Sequence, residues 1–147
     1  MWGVAVDSDN VYAANADFSP RDPSESGGVS AFELTDGRTI WSVRPPSCEN
    51  RKPCKPSHSA AVTAIPGVVF AGTMDGRLRA VSTRDGKVLW EYDTSKDFQT
   101  VNGVKANGGS MSNAGATVVG GMVFMNSGYS HHGGITPGNV LLGFSVE

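Results

Sequence analysis

An all-β fold assembled from repeated four-stranded units is predicted by three observations. Two stretches repeat: Ala31-Phe-Glu-Leu-Thr-Asp-Gly-Arg-Thr-Ile-Trp41 and Ala80-Val-Ser-Thr-Arg-Asp-Gly-Lys-Val-Leu-Trp90. Ala, Asp-Gly, a basic residue and Trp return in the same order, offset by 49 residues (31 to 80, 41 to 90). Helical periodicity is absent, and short β-branched runs alternate with Gly, Pro, Asn and Asp. Glycine is abundant, 19 of 147 residues, nearly twice the usual ~7%, as many tight turns require. A period of roughly 40–50 residues built from short strands is that of a β-propeller blade. A blade cannot bury both faces alone and stacks on neighbours. An all-β sandwich of about eleven strands is the alternative, but it leaves the in-phase repeat unexplained.

The strands follow in order. The first unit has Gly3–Asp7, a turn at Ser8-Asp9-Asn10, Val11–Ala14, a long loop from Asn15 to Gly28, Val29–Leu34, an Asp36-Gly37 turn and Thr39–Val43. The second has Ala60–Ile65, Val68–Gly72, Arg77–Ser82 and Lys87–Tyr92, joined by Pro66-Gly67, Asp75-Gly76 and Asp85-Gly86, all good two-residue turn chemistry. The third has Ala114–Val119, Gly120-Gly121, Met122–Asn126, a long loop and Asn139–Val146, where Val140, Leu142, Phe144 and Val146 alternate with period two. The expected blades are residues 1–46, 57–95 and an incomplete 109–147, about two and three-quarter four-stranded blades. A propeller usually closes with 4–8 blades, so this chain reads as a partial one. Its start, already strand-like at Met1-Trp-Gly-Val-Ala-Val6, reads as a fragment's.

Composition excludes several classes. A net charge of −2 without a basic stripe argues against nucleic acid as a partner. No run approaches the roughly 20 apolar residues of a membrane helix. No P-loop, dinucleotide fingerprint or Ser-His-Asp arrangement is present. Cys48 and Cys54 flank a short polar, Pro-rich loop. A disulfide between them would contribute about 2–3 kcal/mol in the chain-entropy model and implies an oxidising compartment; two unpaired surface thiols are the other reading.

Loop length distinguishes the two faces of the disc. Turns between first and second strands, and between third and fourth, lie on one face and are all tight here. Second-to-third turns and links between blades lie on the other, where four long segments fall: Asn15–Gly28, Arg44–Ser59, Thr94–Asn113 and Ser127–Gly138. Long loops on a rigid scaffold concentrate binding residues. Within the Thr94–Asn113 link, Lys96, Asn102, Lys105 and Asn107 are candidate cofactor-binding residues, since cations and amides there could meet a ligand's carboxylates. His131-His132 and the acidic set Asp17, Asp22 and Glu25 read as solvated loop residues; the latter lacks EF-hand spacing. The repeated residues read as structural. Ala31 and Ala80 admit a close neighbour, Gly37 and Gly86 supply the turn conformation, and Trp41 and Trp90 bury flat surface between blades.

At this repeat the chain resembles the tryptophan-docking motif of pyrroloquinoline-quinone (PQQ) propellers, Ala-x-Asp-x-x-Thr-Gly-Lys-x-x-Trp. Ala31, Gly37 and Trp41, then Ala80, Gly86, Lys87 and Trp90, match it; Glu33 and Ser82 replace its Asp, and Asp36 and Asp85 its Thr. Ser59–Gly72, Asp97–Val104, Gly108-Gly-Ser110 and Pro137–Val146 resemble the polyvinyl-alcohol-dehydrogenase-like branch, toward its C-terminal part. The resemblance implies a periplasmic or secreted quinoprotein that oxidises alcohols with PQQ and Ca²⁺, some members passing electrons to cytochrome c. It assigns no calcium ligand or catalytic base to any residue here, and no C-x-x-C-H is present for haem attachment. A segment this short is expected to lack the cofactors. Its partners would then be the missing blades or a second copy. The alternatives are a non-catalytic binding scaffold of the same fold and an inactive, self-associating fragment.

Overall fold

In the computed structural model, residues 3–17, 27–46, 55–129 and 135–146 are described. Cys48, Cys54, Asp22, Glu25, His131 and His132 lie outside them, and so does the expected disulfide. Among the described residues the regular structure is all β.

The first sheet runs β1(Ala5–Val6), β2(Asn10–Ala14), β3(Val29–Glu33), β4(Thr39–Val43), each strand antiparallel to the next. The second repeats the order with β5(Thr63–Ile65), β6(Val68–Gly72), β7(Arg77–Ser82) and β8(Val88–Asp93). A two-stranded ribbon follows, β9(Asp97–Gln99) and β10(Lys105–Asn107). The last sheet has three strands, β11(Thr117–Val119), β12(Met122–Ser127) and β13(Val140–Ser145). The chain is thus a partial propeller of meandering antiparallel sheets. The sequence reading differs from it in two places. The innermost strands begin later than expected, at Thr63 and Thr117. There the preceding residues bond to other segments, as Ala61 N does to Asn113 O at 3.0 Å. The Thr94–Asn113 link is not irregular, because Thr100–Val104 forms a turn that pairs its flanks: Thr100 Oγ1 donates to Val104 O at 2.6 Å, and Gly103 takes φ +74°.

Alternation along the strands builds the two seams. In β6, Val69 and Ala71 pack on the first sheet, with Tyr12, Ala14, Val29, Ala31 and Trp41. Phe70 between them points the other way, where Leu78 and Ala80 meet Met111, Ala116 and Met125. The middle sheet is covered on both faces, so β6 reads as a continuous apolar run rather than an alternating one.

The repeat motif locks the first seam. Ala31 pairs with Trp41 across β3 and β4. The Trp41 indole N–H crosses to the second sheet and donates to Thr83 O at 2.8 Å. Its ring lies against Gly86, where an added Cβ would stand 2.8 Å from the ring and 2.8 Å from Val43. Trp90, paired likewise with Ala80, meets Phe144 edge-on at 5.1 Å between centroids but stays 37% exposed. Trp41 is 8% exposed.

Candidate functional site on the long-loop face

The second-to-third turn of the middle sheet, Thr73–Gly76, is the point where both links between sheets converge. Met74 N donates to Ser57 O at 2.9 Å, from the link that precedes β5. Met111 N donates to Thr73 O at 3.0 Å, from the link that precedes β11, and the Ser110 hydroxyl donates to Met74 O. Gly76 needs φ +81°, and a Cβ there would lie 1.9 Å from Ser95 Oγ, so the backbone can approach only without a side chain.

Around this turn the polar side chains are buried and paired. Thr94 Oγ1 donates to Gly76 O at 2.7 Å and stands 2.6 Å from Ser127 Oγ. Gly109 N donates to Ser127 Oγ at 2.9 Å. Thr136 N donates to Ser110 Oγ at 3.0 Å, and Ser110 N returns a bond to Thr136 O at 2.8 Å. These serines and threonines face carbonyls and amides, so they tie three segments together instead of serving as nucleophiles. An ion-pair chain runs from the turn up the sheet. Arg77 lies 3.7 Å from Asp75 and pairs with Glu91, and Glu91 Oε2 also accepts from Arg79 Nε at 2.6 Å. His58, in the first link, is buried; burial, with the Arg79 charge adding to it, pushes its pKa down to about 3. The imidazole is therefore neutral at physiological pH.

The four candidate residues of the later link all lie on or beside the β9–β10 ribbon. Lys96 Nζ sits over the Tyr92 ring, 4.4 Å from its centroid, with Phe98 at 5.7 Å. Asn102 is in the turn, its Oδ1 accepting from Thr100 Oγ1 at 2.6 Å. Lys105 pairs with Gln99 and is exposed. Asn107 Nδ2 donates to Pro137 O at 2.8 Å, and its backbone N–H donates to Asn139 Oδ1 at 3.0 Å. Lys105 and Asn107 share a groove of about 280 Å³ with Asp97, Phe98, Gln99 and Ala106. Lys96 stands apart on Tyr92 and Asn102 is held in the turn, so the ribbon gathers two of the four. Among the described residues no three His, Cys, Asp or Glu side chains come together as metal ligands.

Sequence reasoning missed the buried polar set, Ser57, His58, Thr73, Arg79, Thr94, Ser110 and Ser127. Arg79 carried the one available signal, a charged residue inside a strand whose neighbours Leu78, Ala80 and Val81 are apolar. The hydroxyls carry none, because Ser and Thr are common in exposed links too.

Comparison with known proteins places this geometry. A family model described as outer membrane protein assembly factor BamB, of the PQQ-repeat type, matches residues 3–136. A polyvinylalcohol dehydrogenase of Pseudomonas sp. is 45% identical over 99% of the chain, and one of Sphingopyxis sp. (strain 113P3) is 38% identical over the same share. The chain spans 24% of the length of each. Among solved structures, BamB from Moraxella catarrhalis aligns over 99% of this chain and 35% of its own, with TM-score 0.53 and 19% identity, a likeness of fold. The in-phase docking motif, the stacked meander sheets and the match along nearly the whole length agree: this chain belongs to the PQQ-like β-propeller family.

Proposed function

We propose that the chain is part of a quinoprotein that oxidises alcohols, with polyvinyl alcohol as its substrate class. The observation that carries this reading is the identity to two polyvinylalcohol dehydrogenases, sustained over 99% of the chain. When bound, PQQ with calcium would supply the two-electron acceptor for alcohol oxidation. This segment's own part is to wall the propeller and fix the long-loop face, through the Thr73–Gly76 turn and its buried hydroxyls. The ribbon residues Lys96, Asn102, Lys105 and Asn107 are its candidates for contact with the quinone's carboxylates. Electrons would leave to a cytochrome c type acceptor, in the periplasm or outside the cell.

The test is reconstitution of the full-length protein containing this segment with PQQ and Ca²⁺, followed by dye reduction with polyvinyl alcohol. Saturable, alcohol-dependent reduction is expected, and none from the isolated chain, whose three blades cannot preorganise a central site. No alcohol-dependent reduction by the reconstituted full-length protein would rule the reading out. The compartment has its own check. A thiol reagent applied to unfolded, unreduced protein is expected to find no free thiol at Cys48 and Cys54; two reactive groups per chain would contradict an oxidising location.

A second reading, a self-associating fragment, is favoured by exposed apolar side chains on the outward sides of the end sheets. Val4, Val6 and Ile40 are exposed on the first, and Val119 and Leu141 on the last. Such faces and the free edge of β13 recruit further strands or sheets. Light scattering at micromolar concentration is expected to show a particle larger than one 15.4 kDa chain. A monodisperse monomer, stable on dilution, contradicts it.

A further inference from the structure

Two Asn-Gly pairs border β10: Asn102-Gly103 in the turn before it and Asn107-Gly108 at its end. Asparagine is among the thermolabile residues, most of all before glycine, which has no side chain to shield its amide nitrogen from the asparagine amide carbon. The structure separates the two pairs. Asn102 and Gly103 are exposed. Val104 N donates to Asn102 Oδ1 at 3.3 Å, so the side chain curls forward along the chain and lays its amide over the Gly103 peptide. The Val104 N–H and the Thr100 hydroxyl, 2.6 Å from the same oxygen, polarise the side-chain carbonyl. Gly103 N donates to Thr100 O at 3.1 Å, in an exposed turn where local opening costs little. Asn107 is held the opposite way. It lies on β10 in extended backbone, paired with Asp97. Its Nδ2 donates to Pro137 O at 2.8 Å, and Gly108 N donates to Lys96 O at 3.0 Å. Gly108 is buried, and a Cβ there would stand 1.9 Å from Thr94 O, so its peptide has no room to turn. The rotation that would bring Gly108 N onto Asn107 Cγ would break the pairing with Asp97.

We infer that Asn102-Gly103 is a self-modifying site, which converts Asn102 through a cyclic imide with water as co-reactant, while the fold protects Asn107-Gly108. The Gly103 nitrogen forms a bond to Asn102 Cγ, and the Cγ–Nδ2 bond breaks. The Gly103 amide proton leaves with Nδ2 as ammonia. Water then opens the imide at one of its two carbonyls. Opening at the side-chain carbonyl leaves an ordinary aspartyl residue. Opening at the main-chain carbonyl leaves an isoaspartyl residue, whose main chain runs through the former side chain. Nothing is oxidised or reduced. Either product puts a carboxylate in the turn of a ribbon that carries Lys105. The isoaspartyl form also adds a methylene to the main chain. The contacts of Asn102 with Thr100 and Val104 hold the turn that pairs Gln99 with Lys105. This form therefore disturbs the ribbon and the groove lined by Asp97, Gln99, Lys105 and Asn107.

The full chain, folded in mildly alkaline buffer, is incubated beside a guanidinium-unfolded sample until half of the unfolded Asn-Gly has converted. Trypsin cuts after Lys96 and Lys105, which places the two pairs in different peptides. In the folded sample the 97–105 peptide is expected to gain the mass difference between OH and NH₂. It should also split into two chromatographic products, one of which accepts a methyl group from an isoaspartyl methyltransferase. The peptide that begins at Ala106 should convert roughly tenfold more slowly than in the unfolded sample, because the ribbon pairing must open first. Asn102→Gln cannot close the same ring at a comparable rate and should abolish the shift. A shift that persists in this variant comes from Gln99 and overturns the inference. Equal conversion of both pairs in the folded chain overturns the protection by the fold. An intact Asn102 when the unfolded chain is half converted overturns the site itself. On conversion, the Gln99 and Lys105 amides should move in the ¹⁵N–¹H spectrum; unmoved peaks overturn the effect on the ribbon.

Discussion

Trp41→Ala is expected to cost about 3–5 kcal/mol, the range for truncating a buried large aromatic, and Trp90→Ala clearly less. Both tryptophans stand at the same place in the repeat, so the contrast isolates docking from composition. Trp41 gives its indole N–H to Thr83 O at 2.8 Å and is 8% exposed, whereas Trp90 is 37% exposed against Phe144. Against a typical total of about 5–15 kcal/mol, the first loss approaches global unfolding. The turn glycines give an independent reading. Gly37 and Gly86 share a positive φ, +73° and +70°, so valine strains both alike. Only at Gly86 does the new side chain strike Trp41; at Gly37 nothing lies within 4 Å. Gly86→Val is therefore expected to lose about 1–3 kcal/mol more than Gly37→Val, the usual cost of overpacking. Urea unfolding of the four variants measures both differences. Equal losses within each pair would show that the seam is not held by the motif.

The unfolding free energy is expected to fall by roughly 1 kcal/mol per pH unit as pH drops below 6.5, driven by His58. In the unfolded chain this imidazole titrates near its ordinary 6.5; in the folded chain burial, with Arg79 beside it, holds it at about 3. Between those values the unfolded state binds a proton that the folded state refuses, so acid favours unfolding. The contribution is fully present above pH 6.5 and is lost toward pH 3. Asp7 acts in the same direction but lower, because the Tyr12 hydroxyl holds its carboxyl below the ordinary 3.8. Among the described residues, the interval from pH 6.5 to about 5 therefore isolates His58. His58→Gln should flatten the profile there. A wild-type profile already flat over that interval would mean that the ring is not buried and neutral.

The repeat made the architecture legible from sequence. Ala31 and Ala80, the Asp-Gly turns and the two tryptophans recur in phase, and a motif that recurs in phase marks a unit that stacks on its own kind. Turn chemistry placed Gly37, Gly67 and Gly86 where the backbone takes positive φ, because that conformation penalises every residue with a Cβ. Loop lengths marked the face on which both links converge. Tertiary structure alone decided three things. It filled one docking slot with Trp41 and left Trp90 half-open, although the two motifs look alike, since burial depends on what stacks opposite. It folded the Asp97–Asn107 stretch into a ribbon that separates Lys96 and Asn102 from Lys105 and Asn107, since a turn's hydrogen bonds set the register of its flanks. And it buried His58 under the influence of the Arg79 charge, 21 positions away in sequence (58 to 79). How deeply a link residue is buried, and which charge acts on it, depends on long-range packing that local pattern does not encode.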